Sequence, residues 1–215
     1  MNGLVVKDFI VLKHNIKFYL MLIILYAIIG MFSNLSSFLL GVLSVLGISF
    51  VMGTFGYDEA AKWDQYALSL AVTRRAMVRA KYLVALLLTA LTVVLGFLLS
   101  FVSQLVHGNP NIVQLMLHLG VFTSAMLLMT ALMLPCIYRF GAEKGRAVMI
   151  LCILVVAGLE GLLLWGLEQT AMLRIFMASP LLTALLIACV LLFFLSLSYH
   201  ISLNIYQKKD LGSSH

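Results

Sequence analysis

The chain has 215 residues, of which 63% are hydrophobic and 10% are charged, and its formal net charge is +6. An ordinary globular domain carries roughly a quarter charged residues, so this composition excludes a water-soluble fold. A membrane-spanning helix needs about 20 mostly apolar residues, because every backbone polar group in the hydrocarbon must be bonded within its own segment. The sequence therefore predicts an all-α membrane protein. Its positive charge fits a membrane surface with anionic lipid and needs no nucleic acid to explain it.

Apolar stretches separated by charged or turn-forming residues predict six transmembrane helices. In chain order they are Phe18 to Phe32, Phe38 to Phe55, Tyr82 to Val106, Ile112 to Tyr138, Ala147 to Leu167 and Pro180 to Tyr206. Ser179 followed by Pro180 is typical of a helix start. The segment from Glu168 to Ala178 is too short to cross the bilayer and too apolar to lie in water, so we expect a short outer helix between the fifth and sixth spans.

Lys and Arg residues fall almost entirely on one side of this topology, and positive charge in short loops is retained in the cytoplasm. Arg174 alone lies on the outer side. The cytoplasmic side holds Lys7, Lys13, Lys17, Lys62, Arg74, Arg75, Arg79, Lys81, Arg139, Lys144, Arg146, Lys208 and Lys209. We therefore expect a multi-pass plasma-membrane protein with both termini in the cytoplasm. Residues 1–211 are interpreted as one transmembrane domain, and residues 212–215 as the remnant of an expression tag.

The residues before the first span form an amphipathic pattern. The apolar stripe consists of Val5, Phe9, Leu12 and Ile16, and the residues turned away from it are Lys7, Asp8, His14 and Asn15. This pattern predicts an N-terminal helix lying in the membrane interface. A plain helical extension of the first span into the cytoplasm is the alternative.

Small residues recur along the second span, where they let neighbouring helices approach closely in lipid. They form two small-x-x-x-small pairs with a further glycine between them: Ser37, Gly41, Gly47, Ser49 and Gly53. We interpret Gly41, Gly47 and Gly53 as helix-packing positions.

Glu160 is the notable ionisable residue within a predicted span, and it is flanked by Gly158 and Gly161. A charge at depth is costly, so an intramembrane carboxylate indicates a functional position such as a transport path. If the fifth span breaks at the two glycines, Glu160 lies instead near the outer water boundary, where it is solvated or structural.

The stretch between the second and third spans predicts a short helix across the cytoplasmic mouth. Asp58 and Lys62 are spaced i,i+4 in the favourable order, and Thr73 is placed to cap the third span. One apolar stripe consists of Trp63, Ala67 and Leu70. Such a helix, apolar below and polar outward, suits contact with a soluble partner. An ordinary membrane-surface helix is the alternative.

Sequence motifs for bound cofactors and hydrolytic chemistry are missing, because the chain contains no G-x-x-x-x-G-K-[ST] loop, no H-E-x-x-H and no G-x-S-x-G. We therefore expect no catalytic residue, no metal site and no cofactor on this chain, which is not predicted to be an enzyme. Each of the three cysteines lies in an apolar stretch, where we expect a buried thiol: Cys136, Cys152 and Cys189.

Two segments resemble small ABC-2 type transporter permeases of Gram-positive bacteria, including the membrane subunits of phenol-soluble modulin exporters and related peptide exporters. The resemblance is carried by Gly3-Leu4, Lys7-Asp8, Leu12-Lys13, Tyr57-Asp58-Glu59, Lys62-Trp63-Asp64, Tyr66, Ser69-Leu70, Val72-Thr73-Arg74, Val78 and Lys81-Tyr82. It implies a half-transporter that pairs with a second copy or a similar chain, and a coupling helix that docks on a separate ABC ATPase carrying ATP and Mg. The implied coupling residues are Asp58, Glu59, Lys62, Trp63, Asp64, Tyr66 and Leu70.

The leading functional prediction is therefore the permease subunit of an ATP-driven exporter of amphipathic or antimicrobial-type peptides. One alternative is a membrane scaffold or immunity protein that sequesters peptide without transport. The other is an ion-coupled secondary carrier with Glu160 as its coupling group, although carriers normally use several polar groups near the midplane.

Overall fold

The computed structural model describes residues 2–32, 36–70, 72–108, 112–169 and 180–208. Within these residues every regular element is a helix, which confirms the all-α class. The helices are α1 (Asn2–Phe32), α2 (Ser36–Ala60), α3 (Trp63–Ser69), α4 (Arg74–Val106), α5 (Ile112–Phe140), α6 (Ala142–Gln169) and α7 (Pro180–Lys208).

Four helices, α2, α4, α5 and α7, are long and apolar enough to cross a membrane when the described residues are tested. Counting the bent helix α1 as one span raises the number to 5. The helix α6 has 28 residues and covers the predicted fifth span. A multi-pass helical protein is therefore confirmed, whereas the number six stays a prediction. Residues 170–179, which hold most of the predicted outer helix, and residues 212–215 lie outside the described part of the chain.

The helix α4 packs against α1, α2, α5 and α7. One face of α4 is buried, with Val78 and Ala85 at 0% exposure, while Leu91 and Val94 on another face are more than half exposed. Helices that stay apolar on their exposed faces are typical of a protein solvated by lipid. Thr73 caps α4 by accepting a hydrogen bond from the Ala76 N–H at 3.3 Å, as the sequence predicts.

The helix α1 bends by 65° between Gly3–Lys13 and Ile16–Ile29. Residues 3–13, the N-terminal arm, pack against the bundle through Leu12, which is 8% exposed, whereas Phe9 is 39% exposed. The sequence pattern turns Asp8 away from the stripe that contains Leu12, but the structure buries both side chains, and Asp8 is only 2% exposed. An ion-pair partner on α4 makes its burial possible. The position of the arm in the membrane interface stays a prediction.

The three glycines assigned to helix packing have different surroundings. A Cβ at Gly47 would lie 2.7 Å from Thr92 Oγ1, and one at Gly41 would lie 3.5 Å from the Phe122 ring. A Cβ at Gly53 would meet no heavy atom of the described residues within 4 Å. Among the described residues, the tight contact is therefore at Gly47, whereas Gly41 makes an ordinary contact with a side chain and Gly53 makes none.

Gly47→Val is expected to destabilise the protein by about 2 kcal/mol, because an overpacked interior must shift its backbone or its side chains. Thr92 cannot move freely out of the way, since its hydroxyl donates to the Leu88 carbonyl at 2.8 Å. Thermal unfolding in detergent measures the effect. Gly53→Val is the matched control, because a Cβ at Gly53 would meet no described neighbour within 4 Å. Equal melting temperatures for the two variants would contradict the packing of α2 against α4 at Gly47.

Candidate functional site

The candidate site lies where α1, α2, α3 and α4 meet, which we name the α3 end of the bundle. The helix α2 continues past the predicted limit at Phe55 to Ala60, so Asp58 and Glu59 belong to α2. Lys62 forms the turn with φ 49°, and α3 follows as a helix of 7 residues. The short helix expected between the second and third predicted spans is thus present, although it begins only at Trp63.

Four charged side chains from three helices form a closed set, which we name the charge ring. It consists of Lys7 and Asp8 on α1, Asp58 on α2 and Lys81 on α4. The Lys81 ammonium lies 2.7 Å from Asp58 Oδ2 and 3.1 Å from Asp8 Oδ1. The Lys7 ammonium lies 3.0 Å from Asp8 Oδ1 and also contacts Asp58 Oδ1. Each cation therefore contacts both carboxylates, and the predicted pairing of Asp58 with Lys62 is wrong.

The charge ring is largely removed from solvent, since the side chains of Asp8, Lys81 and Asp58 are 2%, 10% and 12% exposed. Lys81 also donates to the Thr54 carbonyl at 3.3 Å, which satisfies a further donor. Buried ions are tolerated only when they are paired and hydrogen-bonded, and this set contains two charges of each sign. The ring is therefore stable as a complete unit, and losing any one member leaves an uncompensated buried charge.

Glu59 connects α2 to the turn between α5 and α6. Its carboxylate accepts a hydrogen bond from the Ala142 N–H at the start of α6, where the helix dipole favours negative charge. Gly141 ends α5 with φ +84°, and its N–H donates to the Ile137 carbonyl at 2.8 Å. This left-handed position favours glycine, and a Cβ there would lie 2.9 Å from Glu59 Oε1. Glu59 therefore fixes another helix to the α3 end.

Trp63, one of the implied coupling residues, packs within its own chain. Trp63 is half-buried and packs against the hydrophobic core, and the Lys7 ammonium lies 4.5 Å from the centre of its ring. Asp64 is a hydrogen-bond partner of Tyr206, which is 1% exposed. Both residues therefore bind within their own chain. The apolar spacing on α3 indicates a packed face correctly for Trp63 and Ala67, but not for Leu70.

The outward surface here is instead formed by Tyr66 in α3 and by Leu70, the residue that follows α3, which are 56% and 55% exposed. Between them, Ala67 is fully buried and seats the helix on the bundle. Lys62 is also exposed at the preceding turn. We name Lys62, Tyr66 and Leu70 the outer face of α3. An aromatic ring and an aliphatic side chain on a short, firmly seated helix form a surface that a partner could cover.

The α3 end also contains a small cavity of about 80 Å³. Its lining includes Lys7, Asp8, Asp58, Trp63, Asp64 and Lys81. The charged groups of this lining already bind one another, Tyr206 or, for Glu59, the Ala142 N–H, so the cavity belongs to the internal framework of the site. Among the described residues, no group of three or more His, Cys, Asp or Glu side chains could hold a metal ion.

Sequence reasoning missed the contacts between the beginning of α4 and the end of α7. The Arg74 guanidinium donates to the backbone carbonyl of Tyr206 at 3.2 Å and to that of Gln207, and Arg79 Nε donates to the Tyr199 hydroxyl at 3.2 Å. Arginines commonly satisfy the last carbonyls of a helix. The cluster of Arg residues at the beginning of α4 is visible in the sequence, but the positive-inside rule explains it without any contact between helices.

Glu160 belongs to α6, which continues as a helix through Gly158 and Gly161. The helix break on which the alternative reading of Glu160 depended is therefore absent from this described stretch. The surroundings of the Glu160 side chain lie outside the described part of the structure, and its role in a transport path stays a prediction.

The fold and the site are those of a multi-pass helical membrane protein with a short helix packed at one end of its bundle. The chain belongs to the family described as ABC-2 family transporter protein, whose sequence model matches residues 3–207. It is therefore a permease subunit of an ABC transporter, and permeases of this family generally work with ABC ATPases and often dimerise. Comparison with curated proteins and with solved structures gives no significant match.

Proposed function

We propose that this chain is the membrane subunit of an ABC exporter and that the outer face of α3 docks on a separate ATPase subunit. The observation that carries the proposal is the combination of a packed inner face and an exposed outer face on α3. Ala67 is 0% exposed, while Tyr66 in the same helix and Leu70 immediately after it are more than half exposed. A force applied to such a helix reaches the bundle, because the helix is seated on it.

The proposed cargo is an amphipathic peptide, and the proposed assembly contains two permease chains and two ATPase subunits. The spans present many exposed apolar side chains, such as Leu154 and Phe193, which are 66% and 67% exposed. Lipid covers such surfaces, but the six predicted spans also contain a single charged residue, Glu160, and so offer little for holding a small hydrophilic solute. A hydrophobic or amphipathic peptide is therefore the better fit. A peptide exporter of the phenol-soluble modulin type, in a Gram-positive plasma membrane, is the specific form that the motifs at residues 3–13 and 57–82 support.

Co-purification with an ABC ATPase, followed by measurement of ATP hydrolysis, tests this function. The ATPase encoded by the neighbouring reading frame is expected to co-purify with the chain, and a synthetic amphipathic helical peptide is expected to stimulate hydrolysis. Stable peptide binding without any ATPase partner would support the scaffold alternative. Peptide or solute uptake that follows an imposed proton gradient and is lost in Glu160→Ala would support the carrier alternative.

The proposed orientation places the α3 end and both termini in the cytoplasm. In a cysteine-free background, Asn109→Cys and Gln169→Cys are expected to react with an impermeant thiol reagent added to sealed cells. Gln65→Cys on α3 is expected to react only after the membrane is opened. Labelling of Gln65→Cys in sealed cells would contradict the orientation, because positive charge would then lie outside.

A further inference from the structure

We infer that the charge ring is the joint that transmits movement of α3 to the transmembrane helices. The inference rests on the proposed function, and it assigns to Lys7, Asp8, Asp58 and Lys81 a positioning role that is separate from ATPase binding. The charge ring is expected to determine how strongly ATP hydrolysis is coupled to peptide in the transport path. It is not expected to decide how tightly the ATPase binds.

The first argument is the position of the ring between α3 and the spans. Asp58 lies at the end of α2, immediately before the turn that leads into α3. Lys81 lies in the early part of α4, the helix that follows α3. Lys7, a member of the charge ring, also has its ammonium 4.5 Å from the centre of the Trp63 side chain of α3 itself. Both chain connections of α3 and one of its side chains are thus tied to the same group of charges.

The second argument is that α3 cannot act alone. A helix of 7 residues is far too short to be stable by itself in water, since isolated helices below about 12 residues are marginal. A displacement of α3 therefore affects the transporter only by moving the segments that α3 contacts. The ring joins the N-terminal arm of α1, the end of α2 and the start of α4, so these three segments are expected to move together with α3.

The third argument is the burial of the ring. Its contacts cannot stretch gradually, because separating the Asp8 and Lys81 side chains, which are 2% and 10% exposed, would leave unpaired charges in a poorly solvated place. The ring is therefore a stiff connection that is either closed or broken. Exposed ion pairs would not behave in this way, because water and salt replace their contacts at little cost.

The test compares variants in the complex of permease and ATPase, using a synthetic amphipathic helical peptide as the probe. Lys81→Met leaves an unpaired carboxylate, whereas Asp8→Leu/Lys81→Met removes one charge of each sign and retains the pair of Lys7 and Asp58. In both variants the ATPase is expected to co-purify as in the wild type, while stimulation of hydrolysis by peptide falls about tenfold. The double variant is expected to regain thermal stability without regaining stimulation. That split distinguishes a joint from a purely structural contact.

Tyr82→Phe is the matched control on the same helix. It removes a buried hydroxyl that lies 2.6 Å from Ser198 Oγ and 2.8 Å from Ser202 Oγ, and it leaves the ring intact. Tyr82→Phe is expected to lower thermal stability but to keep the stimulation of ATP hydrolysis by peptide. Asp58→Glu keeps all four charges but moves one carboxylate by the length of a methylene, so it changes the geometry of the charge ring without leaving a charge unpaired. We expect this variant to fold and to show reduced stimulation of ATP hydrolysis by peptide.

Full stimulation in the double variant, or in Asp58→Glu if the double variant does not assemble, would overturn the inference. Equal loss of stimulation in Tyr82→Phe would also overturn it, because any destabilisation would then have the same effect. Failure of the wild-type chain to retain an ATPase would instead contradict the proposed function. The two failures are therefore distinguishable.

Discussion

Lys81→Met is expected to lower the free energy of unfolding by about 3 kcal/mol or more, because breaking a buried ion pair leaves an uncompensated charge. The ammonium of Lys81 lies within 3.1 Å of Asp8 and 2.7 Å of Asp58, and its loss leaves two carboxylates facing one cation. Thermal or denaturant unfolding of the purified chain in detergent measures the change. The effect is expected to persist at high salt, since buried pairs are screened weakly.

Two controls make this result specific to the charge ring. Lys144→Met removes an exposed lysine on α6 and is expected to change the free energy of unfolding by less than about 0.5 kcal/mol. Asp8→Leu/Lys81→Met is expected to recover most of the lost stability, because a balanced pair of charges replaced by apolar side chains is often neutral. A wild-type melting curve for Lys81→Met would show that the four side chains do not form a buried ring.

Tyr66→Ala is expected to weaken ATPase binding by about 2 kcal/mol, or roughly thirtyfold, because large aromatic side chains buried in a partner often dominate an interface. Tyr66 is 56% exposed and lies on the outer face of α3. Trp63→Ala is expected to act differently, since Trp63 packs inside its own chain: it should lower stability before it affects the interface. Affinity is measured by titrating the purified ATPase onto detergent-solubilised permease at fixed salt.

Phe193→Ala is the matched control for Tyr66→Ala. Phe193 is an aromatic residue with 67% exposure on α7, in the middle of a span and on a different helix from α3. Its truncation is expected to leave ATPase affinity unchanged. If both variants bind the ATPase as the wild type does, the outer face of α3 is a membrane-surface feature and the docking proposal is wrong.

Local features of the site could be predicted from the sequence. Thr73 caps α4 as expected, because a capping side chain and its N–H partner are three residues apart. The existence of a helix between the second and third predicted spans also follows from local spacing. In each case the interaction that forms the structure acts between neighbours in the chain, so the pattern of residues is sufficient.

Contacts between distant parts of the chain could not be predicted in this way. Lys7 and Asp58 are 51 positions apart, and Asp8 and Lys81 are 73 positions apart. The i,i+4 spacing of Asp58 and Lys62 suggested a local pair, but the buried ammonium of Lys81 competes more strongly for that carboxylate. For the same reason periodicity placed Trp63 on an apolar face without showing that the bundle itself covers it.

The most direct test of the central claim is a site-specific photocross-link from position 66 in the assembled complex. With a photoreactive amino acid in place of Tyr66, irradiation is expected to join the permease to the ATPase subunit. The same group in place of Leu91, which is 53% exposed on the apolar surface of α4, is expected to give no such product. An ATPase cross-link from position 91 but none from position 66 would contradict the docking of the ATPase on the outer face of α3.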